Sequence, residues 1–362
     1  MPSGFLAYVG CYTTAERHAH GDGINVYHVN ETLTAWRHLQ TMPTHDNPSF
    51  LSLDRSGQFL CAVHGDRNHI SSYAIDPCTG LIEHRSGAEC GGQNPVHLAF
   101  DTANRFIAIP NYTDGTVTSV SFDAAAGILG AVTSSETLPG ERGPHRIEQH
   151  CSHPHGVTFD PAERFMYVPD KGLDRIFVFR FHEGHLRCVS SVPTREGAGP
   201  RHIAFHPTKP GAYVINELDC TVTFYGHDRE TGELTPRQTV AALPEHYTGN
   251  GRGAEIALSP DGTSVLVSLR GADILSVLSI DDDTGMLLLT QSIDSGGKTP
   301  RFFSVVASAS TVLVAHEASD TIGRTALTVQ GLDVAGIQHC VNVASPSCIV
   351  LKPAPDKPDR SI

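Results

Sequence analysis

The chain has 362 residues, and its 39 acidic and 26 basic side chains give a formal net charge of −13. A nucleic-acid partner requires a basic surface that neutralises phosphates, so this balance predicts no nucleic-acid binding. No run of about 18 apolar residues occurs, so no membrane-spanning helix and no membrane partner are expected. The N-terminus lacks the basic and apolar regions of a signal peptide, and the nine cysteines include no C-x-x-C pair. These features predict a cytoplasmic protein with reduced thiols.

The first predicted elements are two apolar runs, LAYVGCYTT at 6–14 and GINVYHVN at 23–30. After them one pattern recurs: a Pro or its equivalent, an apolar run, a turn, a second apolar run and a third. A repeat of about 40–50 residues built from several short strands predicts a β-propeller. Copies of the pattern begin at Asn47, Asn94, His153, Gly199, Ala254, Thr299 and, in shortened form, Ser345.

Each repeat is predicted to form four strands. The second apolar run alternates and is rich in Val, Ile, Phe and Tyr, as in FMYVPD and AYVINE. In several repeats the third run ends at a turn of the form D-x-x-T-G-x-L, where Gly permits the positive φ of a tight hairpin. Sustained helical periodicity is absent from the sequence. We therefore predict an all-β fold, a seven-bladed β-propeller of four-stranded blades.

The two ends of the chain complement each other. The N-terminal runs resemble middle and outer strands without a first strand, and SPSCIVLKP at 345–353 resembles a first strand without the others. We predict that both termini close the last blade, which removes the free sheet edges of an open ring. The domain prediction is a single propeller at 1–353, followed by a polar, Pro-rich tail at 354–362.

Two repeats are longer than the others, and both contain an insertion rich in Gly and His. The insertions are LPGERGPHRIEQHCSH at 138–153 and LPEHYTGNGRG at 243–253, each directly before a first strand. Neither is predicted to form a strand. Loops added to a rigid scaffold commonly carry function, so both are candidates for substrate contacts.

Charged residues recur at two places in the repeats: just after the anchoring Pro of the first strand, and at the far end of the second strand. Adjacent strands are antiparallel, so these two places lie at the same end of a blade. First strands line the channel of a propeller, and the set should converge on one channel mouth. A carboxylate there is costly to bury unless it is paired or used. The residues are His155, Arg201, Glu217, Glu255, Arg270 and Arg301.

Several kinds of site are not supported by the sequence. It contains no GxSxG, HExxH, P-loop or GxGxxG motif. His18 with His20, and His153 with His155, form H-x-H pairs, but no acidic or Cys residue was found to complete a recognisable ligand set. We therefore predict neither a metal ion nor a cofactor.

Several segments together resemble one known family. They are YVGCYT, HPHGVTFDP, GAGPRHIAFHP, YVINELDCTVTFY, AEIALSPDG, SLRGADIL and KTPRFF. The chain is similar over nearly its whole length to the seven-bladed lactonases, which include bacterial 6-phosphogluconolactonases and a fungal carboxymuconate lactonizing enzyme. The resemblance implies catalytic roles for His155, Arg201, Glu217 and Arg270. The chain departs from many relatives at Cys11, where Thr is common, and at Leu269, where Asn is common.

The resemblance implies hydrolysis of a small anionic sugar lactone, 6-phosphogluconolactone first, by water activated without a metal. Glu217 or His155 would be the general base, and Arg201 and Arg270 would stabilise the oxyanion or hold an anionic substituent. Two alternatives stay open: cycloisomerisation of a carboxymuconate to a lactone, and a non-catalytic interaction platform. The sequence does not predict the oligomeric state. The expected substrate-binding residues are Arg146, His153, Arg252, Glu255 and Arg301.

Overall fold

The computed structural model describes residues 4–355, so most of the predicted tail lies outside the described residues. The strands form seven antiparallel sheets, and three short 3-10 helices occupy Ala15–Arg17, Ala307–Ala309 and Glu317–Ser319. First strands of most neighbouring blades contact one another and therefore surround the axis. The predicted all-β, seven-bladed propeller is confirmed.

The blades are numbered from the first complete repeat, and the strands of each are given from the axis outward. Blade 1 contains Pro48–Leu53, Phe59–His64, His69–Ile75 and Ile82–Glu89. Blade 2 contains Ala99–Phe100, Phe106–Asn111, Thr116–Asp123 and Ile128–Thr137. Blade 3 contains Thr158–Phe159, Met166–Asp170, Arg175–His182 and His185–Pro193. Blade 4 contains Pro200–Phe205, Gly211–Asn216, Thr221–His227 and Leu234–Ala241.

The remaining blades follow the same plan with two variations, a divided outer strand and a closure between the chain ends. Blade 5 contains Arg252–Leu258, Ser264–Arg270, Ile274–Ile280 and Leu287–Asp294. Blade 6 contains Pro300–Val306, Thr311–His316, Thr321–Thr328 and an outer strand in two pieces, Gly331–Leu332 and Gln338–Asn342. Blade 7 contains Pro346–Pro353, Phe5–Cys11, Ile24–Val29 and Trp36–Met42.

Blade 7 is built from both ends of the chain. Its first strand pairs antiparallel with the N-terminal strand, from Phe5 opposite Pro353 to Cys11 opposite Pro346. The predicted closure by the termini is therefore confirmed. It follows from the order of the repeats, since the last unit supplies only the strand that the first unit lacks.

The hydrophobic core lies between neighbouring blades. Ile215 and Val222 of blade 4, for example, pack with Val267 of blade 5. Hydrogen bonds add to this packing, because the Tyr213 hydroxyl donates to the Gly285 carbonyl in the D-x-x-T-G turn of the next blade, at 3.3 Å. The same link joins Tyr8 to Gly80 at 3.0 Å and Tyr167 to Gly232 at 2.9 Å.

A bulge opens the first strand of several blades. In blade 4, Pro200 lies opposite Asn216 and His202 opposite Ile215, so Arg201 is an extra residue in the ladder. A bulge redirects the side chains around it. Arg201 and His202 are accordingly both buried, at 3% and 7% exposure, although side chains of successive strand residues normally alternate between faces.

The first strands of blades 2 and 3 are shorter than those of the other blades. Only Ala99–Phe100 and Thr158–Phe159 form regular ladders, after isolated bridges at Pro95 and Pro154. Other blades accommodate one extra first-strand residue in a single bulge. In blades 2 and 3 the extra residue instead makes the whole segment 96–98 or 155–157 irregular. His155 therefore lies in irregular backbone between a bridge and a strand.

Candidate active site

One residue per blade lies where the second strand ends, directly after the strand in six blades and as its last residue in blade 5. In six blades its amide N–H donates to the carbonyl of the residue before the first-strand Pro, as from Glu217 to Gly199 at 2.7 Å and from Lys171 to His153 at 3.0 Å. In these six blades the bond holds the start of the first strand against the end of the second strand. We call these seven residues the mouth ring: Gly65, Tyr112, Lys171, Glu217, Arg270, Glu317 and Tyr12.

Glu217 is the centre of a buried ion network. Glu217 as a whole residue is 4% exposed. Lys171 Nζ donates to Glu217 Oε1 at 3.1 Å, and Arg201 Nε and Arg270 Nη2 each lie 3.2 Å from Oε2. Arg252 Nη1 lies 3.7 Å from Oε1. A buried carboxylate is tolerated when opposite charges surround it, and four cations do so here.

These charges decide the protonation state of Glu217. Burial alone would raise the pKa of Glu217, but the positive charges of Arg270, Lys171 and Arg201 outweigh it and hold that pKa well below the ordinary value for Glu. Burial lowers the pKa of Arg201, and the nearby guanidinium groups of Arg270 and Arg301 lower it further. Glu217 is thus an ionised counter-ion at neutral pH and a weak proton acceptor.

Lys171 is a member of this network that sequence reasoning missed. Its side chain is 3% exposed, and its Nζ lies 5.2 Å from the centre of the Tyr112 ring. Burial would lower the pKa of Lys171, but the Glu217 carboxylate reverses this and raises it, so the ammonium stays protonated. The repeat contained the signal, because Lys171 in YVPDKG occupies the place of Glu217 in YVINEL.

The two insertions meet at the same place. Glu148, from the first insertion, contacts Lys171 Nζ through Oε2 and Arg252 Nη2 through Oε1, both at 2.8 Å. Arg252 is the last residue but one of the second insertion and begins the first strand of blade 5. The ionic cluster, as we call this assembly, consists of Glu148, Lys171, Arg201, Glu217, Arg252 and Arg270.

The first insertion is tied to blade 3 by a buried amide. Gln149 is 1% exposed; its Nε2 donates to the Lys171 carbonyl at 2.8 Å, and its Oε1 accepts from the His145 amide at 3.0 Å. Gly143 N–H also donates to the Gly172 carbonyl at 2.8 Å. The loop therefore has a fixed base beside Lys171, and Glu148 lies one residue before that anchor.

His155 is buried beside the cluster, at 6% exposure. Its ring lies 5.6 Å from Tyr112 and 5.3 Å from His202, measured between ring centres, and its Nδ1 has no hydrogen-bond partner among residues 4–355. Burial lowers the pKa of His155 well below its ordinary value, and the positive charge of Arg201 adds to this. The imidazole is consequently neutral at neutral pH.

A second histidine, His202, forms a dyad with Glu255. His202 Nδ1 lies 2.9 Å from Glu255 Oε1, so the carboxylate accepts the Nδ1–H and leaves the lone pair on Nε2. That Nε2 is buried and, in the described part of the chain, has no hydrogen-bond partner. Burial lowers the pKa of His202 despite the neighbouring carboxylate. An imidazole oriented in this way has the arrangement of a general base.

The register corrects one predicted equivalence. Glu255 was expected to occupy the place of Arg201 after the first-strand Pro. In the structure, Ile256 pairs with Val267 in blade 5 as Ile203 pairs with Val214 in blade 4. Glu255 is therefore equivalent to His202, and Ala254 to Arg201. An ungapped comparison of GPRHIAF at 199–205 with RGAEIAL at 252–258 gives the same equivalence.

The remaining expected residues lie at different distances from the cluster. Arg301 holds the place of Arg201 in blade 6, where it lies 3.6 Å from Glu317 and 5.1 Å from the centre of the Tyr12 ring. Arg146 is exposed on the first insertion, and no contact between its side chain and the ionic cluster is observed among residues 4–355. The structure thus brings Arg301 to the channel and leaves Arg146 at the surface.

His153 packs against Tyr112 and belongs to a group of possible metal donors. It stacks on the Tyr112 ring at 4.3 Å, and its Nδ1 lies 2.8 Å from the Tyr112 carbonyl oxygen. Donor atoms of His150, Cys151 and His153 all lie within 4.8 Å of one another. Sequence reasoning found no Cys that could complete a ligand set, and the fold of the insertion provides one in Cys151.

A small cavity lies among the first-strand residues beside the ionic cluster. This cavity of about 10 Å³ is lined by Arg201, His202, Glu255 and Arg301, among others, which is room for about one water molecule. A surface cavity of about 810 Å³ lies elsewhere, between the first insertion and the outer strand of blade 3, and its lining includes no member of the ionic cluster. Charge and burial therefore identify the site better than volume does.

Fold and site together define a propeller with a buried charge network at one mouth of its channel. Residues 6–351 match the family model described as "Lactonase, 7-bladed beta-propeller". The chain belongs to this lactonase family, as the segments around the ionic cluster predicted.

Individual relatives cover most of the chain. A 6-phosphogluconolactonase of Bacillus subtilis (strain 168) is 28% identical over 301 residues, which are 83% of this chain and 84% of that protein. A 6-phosphogluconolactonase of Formosa agariphila is 28% identical over 330 residues, with 87% and 90% covered. The solved structure of the Pseudomonas aeruginosa periplasmic gluconolactonase PpgL superimposes with a TM-score of 0.88 at 26% identity, covering 97% of this chain and 99% of that one. None of the helices in the described part of the chain has the length and apolar character needed to cross a bilayer.

Proposed function

We propose that this protein hydrolyses a sugar-acid lactone, with 6-phosphogluconolactone as its substrate, at the channel mouth around the ionic cluster. One observation carries the proposal: four cations lie within 3.7 Å of the Glu217 carboxylate in a chain of net charge −13. Such a local concentration of positive charge suits an anionic substrate. The names of the relatives support the choice of lactone. A cytoplasmic location belongs to the same proposal and agrees with the nine free thiols.

The cations divide into two pairs according to the Glu217 carboxylate oxygen that they approach. Arg201 is 3% exposed and Arg270 15% exposed at the side chain, and both lie against Glu217 Oε2. We assign them to the developing oxyanion, because fixed donors in a site with little water stabilise charge most effectively. Lys171 and Arg252 lie against Oε1 and are assigned to the anionic substituent of the substrate.

The base in this scheme is a neutral imidazole rather than Glu217, whose carboxylate is held by too many cations to accept a proton readily. His155 is the first choice, since it is neutral and lies beside Arg201. His202 is the second, because Glu255 orients it and a cavity of about one water molecule adjoins it. Glu217 then acts as a positioning residue that keeps the guanidinium groups in place.

The reaction requires no metal ion in this scheme. The imidazole takes a proton from water as its oxygen attacks the lactone carbonyl carbon. The tetrahedral oxyanion lies against the guanidinium groups of Arg201 and Arg270 and then collapses, which breaks the bond between the carbonyl carbon and the ring oxygen. The imidazolium returns its proton to that oxygen, and the new carboxylic acid loses its own proton to solvent and leaves as the open-chain carboxylate.

The test compares three substrates with the same enzyme preparation: freshly made 6-phosphogluconolactone, glucono-δ-lactone and a carboxymuconate. The expected result is ring opening of the phosphorylated lactone well above its spontaneous rate, with no lactone formed from the carboxymuconate. Lactone formation from the carboxymuconate without lactone hydrolysis would overturn the proposal in favour of the cycloisomerase. Inactivity on all three substrates would also overturn it and would favour the interaction platform.

A further inference from the structure

The Glu148 side chain occupies a place that fits a substrate anion. Each of its carboxylate oxygens lies 2.8 Å from one cation, Oε2 from Lys171 Nζ and Oε1 from Arg252 Nη2. The two cations come from rigid positions, the mouth ring of blade 3 and the first strand of blade 5. The carboxylate comes from the irregular first insertion. A carboxylate on an irregular loop thus bridges two cations that are placed by the blades.

We propose that Lys171 and Arg252 form a binding subsite for the phosphate of the substrate, and that Glu148 is its internal occupant, displaced when substrate binds. The inference rests on the proposed function, which it deepens by naming the residues that select a phosphorylated lactone. Glu148 becomes a competitor for the subsite, and rotation of its side chain opens and closes that subsite.

The two carboxylates that share these cations differ in how firmly they are held. Glu217 is 4% exposed and lies against four cations of blades 3, 4 and 5. It cannot leave without exposing a buried charge network. Glu148 has a side chain 22% exposed and, among residues 4–355, forms ion pairs with only two cations, Lys171 and Arg252. Of the two anions, Glu148 is therefore the one that a substrate can replace at low cost.

The donors match a phosphate group. The guanidinium of Arg252 offers a planar pair of N–H groups, and the ammonium of Lys171 offers a compact charge. Lys171 is held by Glu217 at 3.1 Å and packs over Tyr112, so it stays in place when Glu148 moves. The positive charge of Lys171, followed by that of Arg252, outweighs the effect of burial and lowers the pKa of Glu148, which keeps it an anion at neutral pH.

Displacement needs only a local movement. Gln149 anchors the base of the insertion through the Lys171 carbonyl and the His145 amide. Glu148 precedes this anchor and has its own amide bonded to His145 Nδ1 at 3.1 Å. Rotation of the Glu148 side chain toward solvent frees both cations while the anchor stays intact.

Glu148→Gln tests the proposal because it removes the competing charge and keeps the side chain's shape. We expect KM for 6-phosphogluconolactone to fall by about tenfold, kcat to change little, and KM for glucono-δ-lactone to stay constant. Lys171→Met should raise KM for the phosphorylated lactone at least tenfold more than for the unphosphorylated one. Glu141→Gln, an exposed carboxylate of the same insertion, is the matched control and should leave all values unchanged.

A binding measurement separates this inference from the lactonase proposal. Calorimetry with 6-phosphogluconate and with inorganic phosphate should show tighter binding to Glu148→Gln than to the wild type, whether or not the lactone is turned over. Weaker phosphate binding by a variant with wild-type melting temperature would overturn the inference, because Glu148 would then organise the cations rather than compete for them. Equal changes in KM for both lactones would overturn it as well.

Discussion

Glu217 shows how the surroundings of one residue set its chemistry. At a strand end between Asn216 and Leu218 it has the features of a catalytic base, and the resemblance to lactonases implies that role. In the structure four cations surround it and hold its pKa low. The geometry supports a different contribution, in which Glu217 fixes the guanidinium groups that meet the substrate.

Glu217→Gln should therefore affect the fold as well as the activity. The change leaves Lys171, Arg201 and Arg270 close together without their shared counter-ion, and removal of one partner from a buried network typically costs about 3–5 kcal/mol. We expect a fall of that size in the free energy of unfolding, measured by chemical denaturation, together with a large loss of kcat. Glu233→Gln, at an exposed site, is the control. A variant that is fully stable and fully active would remove Glu217 from the network's function.

The wild type and Glu217→Gln also test the pKa shift of Glu217 through the pH dependence of stability. Because the folded-state pKa of Glu217 lies below the unfolded value of about 4.3, its ion pairs stabilise the fold above that pH. The stabilisation is lost as the pH falls through the folded-state pKa. The difference in melting temperature between wild type and Glu217→Gln should consequently be constant near neutrality and shrink below about pH 4. A difference that stays constant into the acid range would contradict the assigned pKa shift.

The choice between the two imidazoles is open to direct test. If His155 is the base, His155→Asn should lower kcat by about 10²–10⁴ with little change in melting temperature, and His202→Asn should have a smaller effect. If His202 is the base, that order reverses and Glu255→Gln should reproduce much of the loss. Wild-type kcat in both folded histidine variants would reject an imidazole base altogether.

The donors in the first insertion make metal independence a sharp prediction. His150, Cys151 and His153 lie within 4.8 Å of one another, next to Tyr112 of the mouth ring. The proposed mechanism routes no step through them, so lactone hydrolysis should survive exhaustive dialysis against EDTA. Loss of activity on chelation and recovery with Zn²⁺ would reject the metal-free scheme, and Cys151→Ser would then show whether this group holds the ion.

At the level of elements, the repeat fixes the positions of the site residues. Each blade contributes one residue after the first-strand Pro and one after the second strand, and both lie at the same end because the strands are antiparallel. The bulge after Pro200 adds His202 to the buried set beside Arg201. Short backbone bonds such as Glu217 N–H to the Gly199 carbonyl then hold the two strand ends together.

The links between blades give a stability prediction. Tyr213→Phe removes the hydroxyl that donates to the Gly285 carbonyl of the next blade and keeps the ring in the core. One such hydrogen bond contributes about 0.5–1.5 kcal/mol, so the free energy of unfolding should fall by about that amount while kcat is unchanged. Tyr8→Phe, which loses the equivalent bond to Gly80, is the matched case. An unchanged unfolding curve for both would show that these bonds add nothing to the interface.

What the sequence could predict follows from the same repeat. Blade number, strand order and the positions of Arg201, Glu217 and Arg270 were all readable from aligned units, and Lys171 was readable in principle from the same alignment. The dyad of Glu255 with His202 was not, because the repeat places these two residues at equivalent positions of neighbouring blades and does not show that their side chains meet. The contacts of Glu148 could not be predicted, since an inserted loop has no strand register and its contacts depend on how the loop folds back.

At the scale of the whole molecule, closure by the termini holds the ring together. Removal of residues 345–362 takes away Pro346–Pro353 and leaves the Phe5–Cys11 strand with an unpaired edge. We expect a large loss of stability or an insoluble protein, because exposed strand edges promote aggregation. Removal of 356–362 alone is the control and should be tolerated. A protein shortened at 345 that melts at the wild-type temperature would contradict the role of this closure.

The central claim is that lactone hydrolysis takes place at the ionic cluster, and Arg270 tests it most directly. Its side chain is 15% exposed and lies 3.2 Å from Glu217, so Arg270→Gln removes one charge from the mouth and leaves three around the carboxylate. The measurement is kcat/KM for 6-phosphogluconolactone, beside the exposed control Arg187→Gln. We predict a fall of about 10²–10³ for Arg270→Gln at a nearly unchanged melting temperature, and wild-type values for the control. Wild-type kcat/KM in a folded Arg270→Gln would place the chemistry elsewhere on the molecule.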